Sequence, residues 1–176
     1  MWSERRRFTA LLVSALGLQA CGFRPLHGER EGSRAYDDLA FVRIAGIPNR
    51  TGQLVRNELL ELLNPRGLSV DQVFVLETAL DEVKEGLAIQ PDDSVTRFNL
   101  RLIGQFSLRD LRVNRAVLQG RTQAIAAYNV VQSDYANLIA EKDARSRAAR
   151  NVAQSIATRV SIYFARLREG SDTASG

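Results

Sequence analysis

The clearest pattern in the chain is an alternation of apolar and polar residues from Ser94 to Asp110. Its apolar positions are Phe98, Leu100, Leu102, Phe106 and Leu108, and its polar positions are Arg97, Asn99, Arg101, Gln105 and Arg109. A period of two residues is typical of an antiparallel strand with one buried face. Ile103 is the main exception, because it falls among the polar positions.

A second strand is predicted over Ala116 to Val130, and a turn centred on Val113 would make it the partner of the first. This turn fixes a register in which large side chains of the first strand face mostly small ones of the second. The predicted pairs are Phe98 with Tyr128, Leu100 with Ala126, Leu102 with Ala124, and Phe106 with Gly120.

Two further strands and a helix precede this hairpin. Leu39 to Ile47 is apolar enough for a buried strand, and Gln72 to Glu85 has apolar residues at alternate positions, followed by a turn at Gly86 to Pro91. Between these strands, Arg50 to Leu63 carries an apolar stripe at helical spacing, and Thr51 is predicted to cap this helix.

A long helix is predicted from Ser133 to Leu167, with Ser133 as its N-cap and Asp134 in its positive first turn. Its apolar stripe consists of Ala148, Val152, Ile156, Val160 and Phe164. The predicted order is β-α-β-β-β-α. The fold class is therefore α+β, with two helices packed on one face of a four-stranded, mostly antiparallel sheet.

The segment before Cys21 indicates export. Arg5, Arg6 and Arg7 are followed by an uncharged apolar run from Phe8 to Leu18, which is the pattern of a secretory signal peptide. This run is shorter than the roughly 20 residues that span a bilayer. Leu18-Gln19-Ala20-Cys21 resembles a bacterial lipobox, so Cys21 is the predicted lipid attachment site. The alternative is an ordinary signal peptide with a free thiol nearby.

The predicted organisation has four parts. Residues 1–20 form the signal peptide, 21–38 a lipidated linker, 39–168 a single α+β domain, and 169–176 a disordered tail rich in Gly and Ser. A Gly at residue 22 implies sorting to the outer membrane, as in known lipoproteins.

Charge and composition do not indicate a nucleic-acid partner or an enzyme. Removal of the signal peptide lowers the formal net charge from +4 to +2, because three arginines and one glutamate leave with it. The sole histidine, His27, lies in the linker, and Asp92-Asp93 reads most simply as a solvated turn. We therefore expect no catalytic residues, no metal site and no cofactor.

Several segments resemble the LptE family of lipopolysaccharide-assembly lipoproteins, in its alphaproteobacterial form. They are the start Cys21-Gly-Phe-Arg-Pro-Leu-His-Gly28, the helix entry Asn49-Arg-Thr-Gly-Gln-Leu54, Tyr128-Asn129, and Ser133-Asp-Tyr-Ala136. The resemblance implies an outer-membrane lipoprotein that plugs the β-barrel LptD, aids its assembly and binds lipopolysaccharide. A generic outer-membrane lipoprotein that scaffolds another envelope complex remains the alternative.

Arginines on the polar face of the hairpin are the candidate ligand-binding residues. The alternation places Arg97 and Arg101 on one outer face, and Arg121 on the same face of the next strand. Guanidinium groups bind phosphates through charge-assisted, two-point contacts, which suits the phosphates of lipopolysaccharide. The alternative is that these arginines simply belong to a solvated sheet face. Ile103, Ile125 and Val117 are predicted on this face too, where they either contact a barrel wall or are scattered surface residues.

Overall fold

The computed structural model describes residues 39–67, 69–89 and 95–173. The predicted signal peptide, the lipid attachment site Cys21 and the linker therefore lie outside the described residues, and the predicted domain division stays a prediction. The elements are β1 (Val42–Ile44), α1 (Asn49–Leu63), β2 (Phe74–Ile89), β3 (Val95–Asp110), β4 (Arg115–Asn129) and α2 (Asp134–Thr173). The predicted order β-α-β-β-β-α is confirmed.

The four strands form one mixed sheet in the order β1-β2-β3-β4. β1 runs parallel to β2, and the other two pairs are antiparallel, so the sheet is mostly antiparallel as predicted. The register of the long hairpin is also confirmed, including the pairs of Leu102 with Ala124 and of Phe106 with Gly120. Alternation and turn position were sufficient to predict this register, because a shift of one residue would turn every polar side chain of the strand towards the core.

Two strand boundaries differ from the prediction. β2 continues to Ile89, so the predicted turn was wrong over Gly86–Ile89, whereas residues 90–94 lie outside the described residues. Pairing with β3 extends the strand, since Gly86 lies opposite Phe98 and a bulge accommodates the next residues. β1 is limited to Val42–Ile44 although the apolar run around it is longer.

The start of α1 also differs. Thr51 does not cap the helix, because its hydroxyl donates to Glu82 Oε2 at 2.9 Å. The side chain of Asn49 forms the hydrogen bond instead: its Oδ1 accepts from the backbone N–H of Gly52 at 2.9 Å. Asn49 has a φ of +64°, a conformation that asparagine adopts more readily than most residues. The side-chain cap that the pattern assigned to Thr51 therefore lies two residues earlier.

α2 has 40 residues and is about 60 Å long at 1.5 Å per residue. Ser133 Oγ accepts a hydrogen bond from the N–H of Ala136 at 3.4 Å, as expected of an N-cap. The helix continues past Leu167 to Thr173, so residues 169–173 of the predicted tail are helical, and residues 174–176 lie outside the described residues. No helix in the described part of the chain is both long and apolar enough to cross a membrane.

One core lies between the sheet and the helices. The predicted stripe of α2, from Ala148 to Phe164, is buried against β3 and β4, and α1 packs against α2 and β1. Close approach is possible because Gly104 leaves room for Val152: a Cβ on Gly104 would lie 2.9 Å from Val152 Cγ1. Phe74 and Phe164 meet edge to face at 5.1 Å between ring centroids.

Candidate functional site

The face of the sheet opposite the helices carries the three arginines that alternation placed there. Arg97 pairs with Asn129, Arg101 with Ile125, and Arg121 with Gln105. These pairs alternate with the buried pairs, so all three side chains belong to the outer face. The predicted common face is therefore correct, while the assignment of these residues to a ligand stays a prediction.

The arginines form a row rather than a cluster. Arg101 lies four positions after Arg97, and Gln105, the partner of Arg121, lies four positions after Arg101. Each step corresponds to about 13 Å along the strand. Arg97 and Arg121 are exposed, whereas Arg101 is half-buried and donates to Glu85 Oε2 at 3.0 Å. Arg101 Nε is buried and has no hydrogen-bond partner among the described residues.

Three aliphatic side chains lie beside Arg101 on the same face. Val83 and Ile125 are its neighbours on the two adjacent strands, and Ile103 is two residues further along β3. Val83 is 36% exposed and Ile125 49%. We call these three residues and the three arginines the outer-face patch. Two carboxylates, Asp81 and Glu85, lie on the same face, with Asp81 opposite Ile103. The apolar centre with arginines around it is suited to a ligand with both acyl chains and anionic groups.

Val117 does not belong to this patch, contrary to the prediction. The ladder skips a residue of β4 between the pairs of Leu108 with Leu118 and of Arg109 with Ala116. This irregularity removes Val117 from the alternation, and its side chain packs against the core.

A polar network that was not predicted from the sequence occupies the helix-facing side of the sheet. Its centre is Glu141 on α2. Lys84 Nζ donates to Glu141 Oε2 at 2.7 Å, the Tyr128 hydroxyl donates to the same oxygen at 3.1 Å, and Arg145 Nη2 donates to Oε1 at 2.8 Å. The network therefore connects β2, β4 and α2 through one carboxylate.

Glu82 extends the network to α1. Arg145 Nε donates to its two carboxylate oxygens at 3.0 and 3.2 Å, and the Thr51 hydroxyl donates to one of them. Lys84 also lies 4.5 Å from the centroid of the Phe98 ring, where a cation–π interaction is favourable. Two carboxylates and two cations thus neutralise each other at the edge of the core.

The ionisation of this network favours a structural role. Hydrogen bonds from Lys84 and Arg145 lower the pKa of Glu141 from 4.5 to about 2. The bond to Glu141 raises the pKa of Lys84, and the bond to Glu82 raises that of Arg145. All three groups therefore keep their charge near neutral pH. A carboxylate that stays ionised near neutral pH is a poor proton donor. The network is therefore better suited to stabilising the packing of β2, β4 and α2 than to acid–base chemistry.

The sequence contained a signal for this network. Continued alternation after Leu80 puts Glu82 and Lys84 on the core face, where they pair with the buried Leu102 and Leu100. Charged residues on the helix-facing side of a sheet are favoured there when they have partners, and Glu141 and Arg145 on the long helix provide them. Only the tertiary contact between β2 and α2 shows which residues those partners are.

The other singled-out residues lie elsewhere. Cys21, His27 and Asp92-Asp93 are outside the described residues. Among residues 39–67, 69–89 and 95–173, no group of three or more His, Cys, Asp or Glu side chains could hold a metal ion.

Comparisons with known proteins agree with this fold. The sequence model of the LptE family, described as "Lipopolysaccharide-assembly", matches residues 39–160. A search of curated proteins found no match. The matched region includes all four strands, α1 and most of α2.

Several solved structures share the architecture. A lipoprotein from Caulobacter crescentus CB15 has a TM-score of 0.62 at 22% identity, covering 76% of this chain and 97% of the other. A minor lipoprotein from Acinetobacter baumannii has a TM-score of 0.54 at 20% identity, covering 69% and 91%. Lipoprotein B from Nitrosomonas europaea has a TM-score of 0.52 at 17% identity, covering 70% and 83%. At these identities the similarity shows the fold alone.

Proposed function

The chain belongs to the LptE family of lipopolysaccharide-assembly proteins, and from this premise we propose that it is a lipid-anchored protein of the outer membrane that binds lipopolysaccharide and plugs the β-barrel LptD. Cys21 carries the acyl chains in this proposal. Two or more acyl chains give stable membrane anchoring, at about 0.8 kcal/mol per buried methylene. The role is non-enzymatic, as is expected of this family.

The outer-face patch is the observation that supports lipopolysaccharide binding. A ligand with phosphates and acyl chains needs cations next to apolar surface, and this face offers Arg97 and Arg121 on either side of Val83, Ile103 and Ile125. Arg101 takes part once its bond to Glu85 is exchanged for a phosphate. An isolated row of solvated arginines would not need the aliphatic side chains between them.

Two surfaces support the plug. Apart from its apolar centre, the outer face is polar and carries charges of both signs, with glutamines and arginines beside Glu77, Asp81 and Glu85, which suits the polar interior of a barrel. The start of α2 exposes apolar side chains: Tyr135 is 74% exposed and Leu138 66%. A helix of an isolated domain normally turns such residues inward, so this surface favours contact with another protein.

Recovery of a large β-barrel in stoichiometric amount is expected when the full-length protein is purified from detergent-solubilised membranes. The measurement is a pull-down with mass spectrometry, and a Cys21→Ser variant reports whether recovery depends on the anchor. Recovery of a different envelope complex without the barrel would contradict the plug and support a generic scaffolding lipoprotein.

Charge reversal of Arg97 and Arg101 to glutamate should weaken binding of purified lipopolysaccharide at least about tenfold, because two charge-assisted phosphate contacts are lost. Binding is measured by displacement of a fluorescent lipopolysaccharide. An Arg150→Glu/Arg166→Glu variant makes the same change in net charge at exposed positions of α2 and is the matched control. Unchanged affinity in the Arg97/Arg101 variant would remove these residues from the ligand site.

A further inference from the structure

The outer edge of β4 presents backbone groups that no strand of the described residues pairs with. β4 is the last strand of the sheet in this part of the chain, so one of its sides is open. The N–H of Ala45 donates to the carbonyl of Leu76, which shows that Leu76 directs its backbone groups towards β1. Leu108 is the partner of Leu76 on β3, and its backbone groups therefore point away from β2 and bond to β4. The same holds for every second residue along β3.

The rule identifies the exposed groups on β4. On β4, the residues opposite even-numbered positions of β3 form backbone hydrogen bonds with β3. The N–H and C=O groups of the β4 residues between them therefore point away from the sheet. These are Gln119, Arg121, Gln123, Ile125 and Ala127. The hydrogen bond from Arg147 Nη2 to the carbonyl of Ala127 at 3.0 Å agrees with this assignment.

This edge has few of the features that normally protect an edge strand. From Gln119 to Ala127, β4 contains no proline or lysine, and its pairing with β3 is regular. Among the described residues, the edge groups of Gln119 to Ile125 have no hydrogen-bond partner. A long, regular and unprotected edge is a template for another extended chain.

A groove beside the edge gives an incoming chain room on the helix side. Its lining consists of neutral hydrogen-bonding side chains and one arginine: Thr122, Asn151, Gln154, Ser155, Thr158 and Arg159. The inward side chains of β4 are small here, and Gly120 lies so close to Arg159 that a Cβ would be 3.2 Å from its Nη1. An added strand could direct alternate side chains into this groove.

The charges around the edge indicate the character of the partner. Arg121 lies on the outer side of the edge and Arg159 on the helix side, and neither forms an ion pair within the described residues. On the helix side, Asp143 is already paired with Arg147. A second copy of β4 would add the same cations without an acidic partner for them, so it is disfavoured; an acidic chain is favoured.

We propose that the free edge of β4, from Gln119 to Ile125, is a docking site for an extended acidic segment of another protein, which adds to the sheet as a fifth strand. Backbone hydrogen bonds provide the affinity, and Arg121 and Arg159 select acidic side chains on its two faces. The proposal goes beyond lipopolysaccharide binding, since it requires no lipid and shares only Arg121 and Ile125 with the outer-face patch.

The test measures amide hydrogen exchange in the full-length protein with two synthetic nine-residue peptides. One peptide alternates Glu and Thr, and the other alternates Lys and Thr. The acidic peptide should slow exchange at the edge amides of Gln119, Arg121, Gln123 and Ile125, and the basic peptide should bind about three- to thirtyfold more weakly. The amides that already bond to β3 should change little.

A proline at residue 123 provides the sharpest variant. Gln123→Pro removes an edge N–H without removing a bond to β3, and Gln123→Ala keeps this N–H while making a similar change in the side chain. Peptide protection should be lost in the first variant and retained in the second. Thermal unfolding of both variants checks that the fold survives.

Arg159→Glu is the second variant, because it leaves the backbone of β4 unchanged. It should weaken the acidic peptide about three- to thirtyfold. Arg150→Glu is its control, on the same helix but outside the groove lining. Three results would each overturn the proposal. Both peptides could protect the edge amides from exchange equally, neither peptide could protect them, or the protection could rise with protein concentration in the absence of peptide. The last of these results would identify a second copy of the chain as the occupant.

Discussion

Replacing Gly52 with valine is expected to lower the free energy of unfolding by about 3 kcal/mol. A Cβ at this position would lie 2.8 Å from the carbonyl oxygen of Ile47 and 2.9 Å from its carbonyl carbon. Backbone atoms cannot move aside as the end of a side chain can. The start of α1 would have to shift away from the segment after β1, and the larger side chain would increase that shift.

The higher helix propensity of other residues opposes this steric effect, so the sign of the change in stability depends on which of the two free energies is larger. Alanine in the interior of a helix is about 1 kcal/mol more favourable than glycine. Gly52 is buried near the beginning of the helix, where the overlap with Ile47 costs about 1–3 kcal/mol. Gly52→Ala should therefore be destabilising by about 1 kcal/mol, with Gly52→Val clearly worse.

Thermal and urea-induced unfolding measure both variants against Gly46→Ala. Gly46 is six residues earlier, has no positive φ, and a Cβ there would meet no atom within 4 Å. This control should stay within about 0.5 kcal/mol of the original protein. A stabilised Gly52→Ala would show that propensity outweighs the contact and would contradict the prediction.

The hairpin shows what pattern alone can predict. Its register followed from alternation because the core face of β3 contains no charged residue from Phe98 to Leu108. The same reasoning misplaced Val117, since a bulge near the turn leaves no trace in the alternation. A bulge of this kind depends on the backbone geometry of the turn between the two paired strands, which the alternation of side chains does not report.

The error in β2 lies after Glu85, because Gly86 indicates a turn in the sequence but pairs with Phe98 in the sheet. The strand continues to Ile89, and Glu82 and Lys84 occupy inner positions in its second half. Their compensation comes from Glu141 and Arg145, which are more than 50 residues away along the chain. Such pairing is a tertiary property, and an alternation rule cannot detect it.

The candidate site was predictable in part. Alternation correctly placed Arg97, Arg101 and Arg121 on one face, because face is a local property of a strand. It could not show that Glu85 binds Arg101 or that Val83 joins Ile125 beside it, since both contacts require the register between β2 and β3. The likeness to LptE came from short segments, and the match over residues 39–160 now shows the family.

Removing the charge of Glu141 is the other substitution with a large expected effect. Glu141→Gln should lower the free energy of unfolding at pH 7 by about 1–3 kcal/mol. The carboxylate accepts from Lys84, Tyr128 and Arg145, and an amide has only one oxygen for these three donors. Arg145 keeps Glu82 as a partner, which prevents a larger loss.

The pH dependence of stability tests the same carboxylate in a second way. Its pKa is lowered from 4.5 to about 2 in the folded protein, so the unfolded chain binds this proton at higher pH. The stabilisation is therefore complete above about pH 4.5 and is lost as the pH falls towards 2. Because the site is partly exposed and screened, we expect a contribution of about 1–2 kcal/mol.

The two measurements together separate a specific ion pair from a general effect of charge. Between pH 4.5 and 2, Glu141→Gln should lose stability less steeply than the original protein, because its titrating group is absent. Glu61→Gln makes the same change at an exposed position of α1 and should stay within about 0.5 kcal/mol at pH 7. An unchanged acid slope in Glu141→Gln would mean that Lys84 and Arg145 do not hold this carboxylate ionised. The connection between β2 and α2 would then depend on apolar packing and on the ion pair of Arg145 with Glu82.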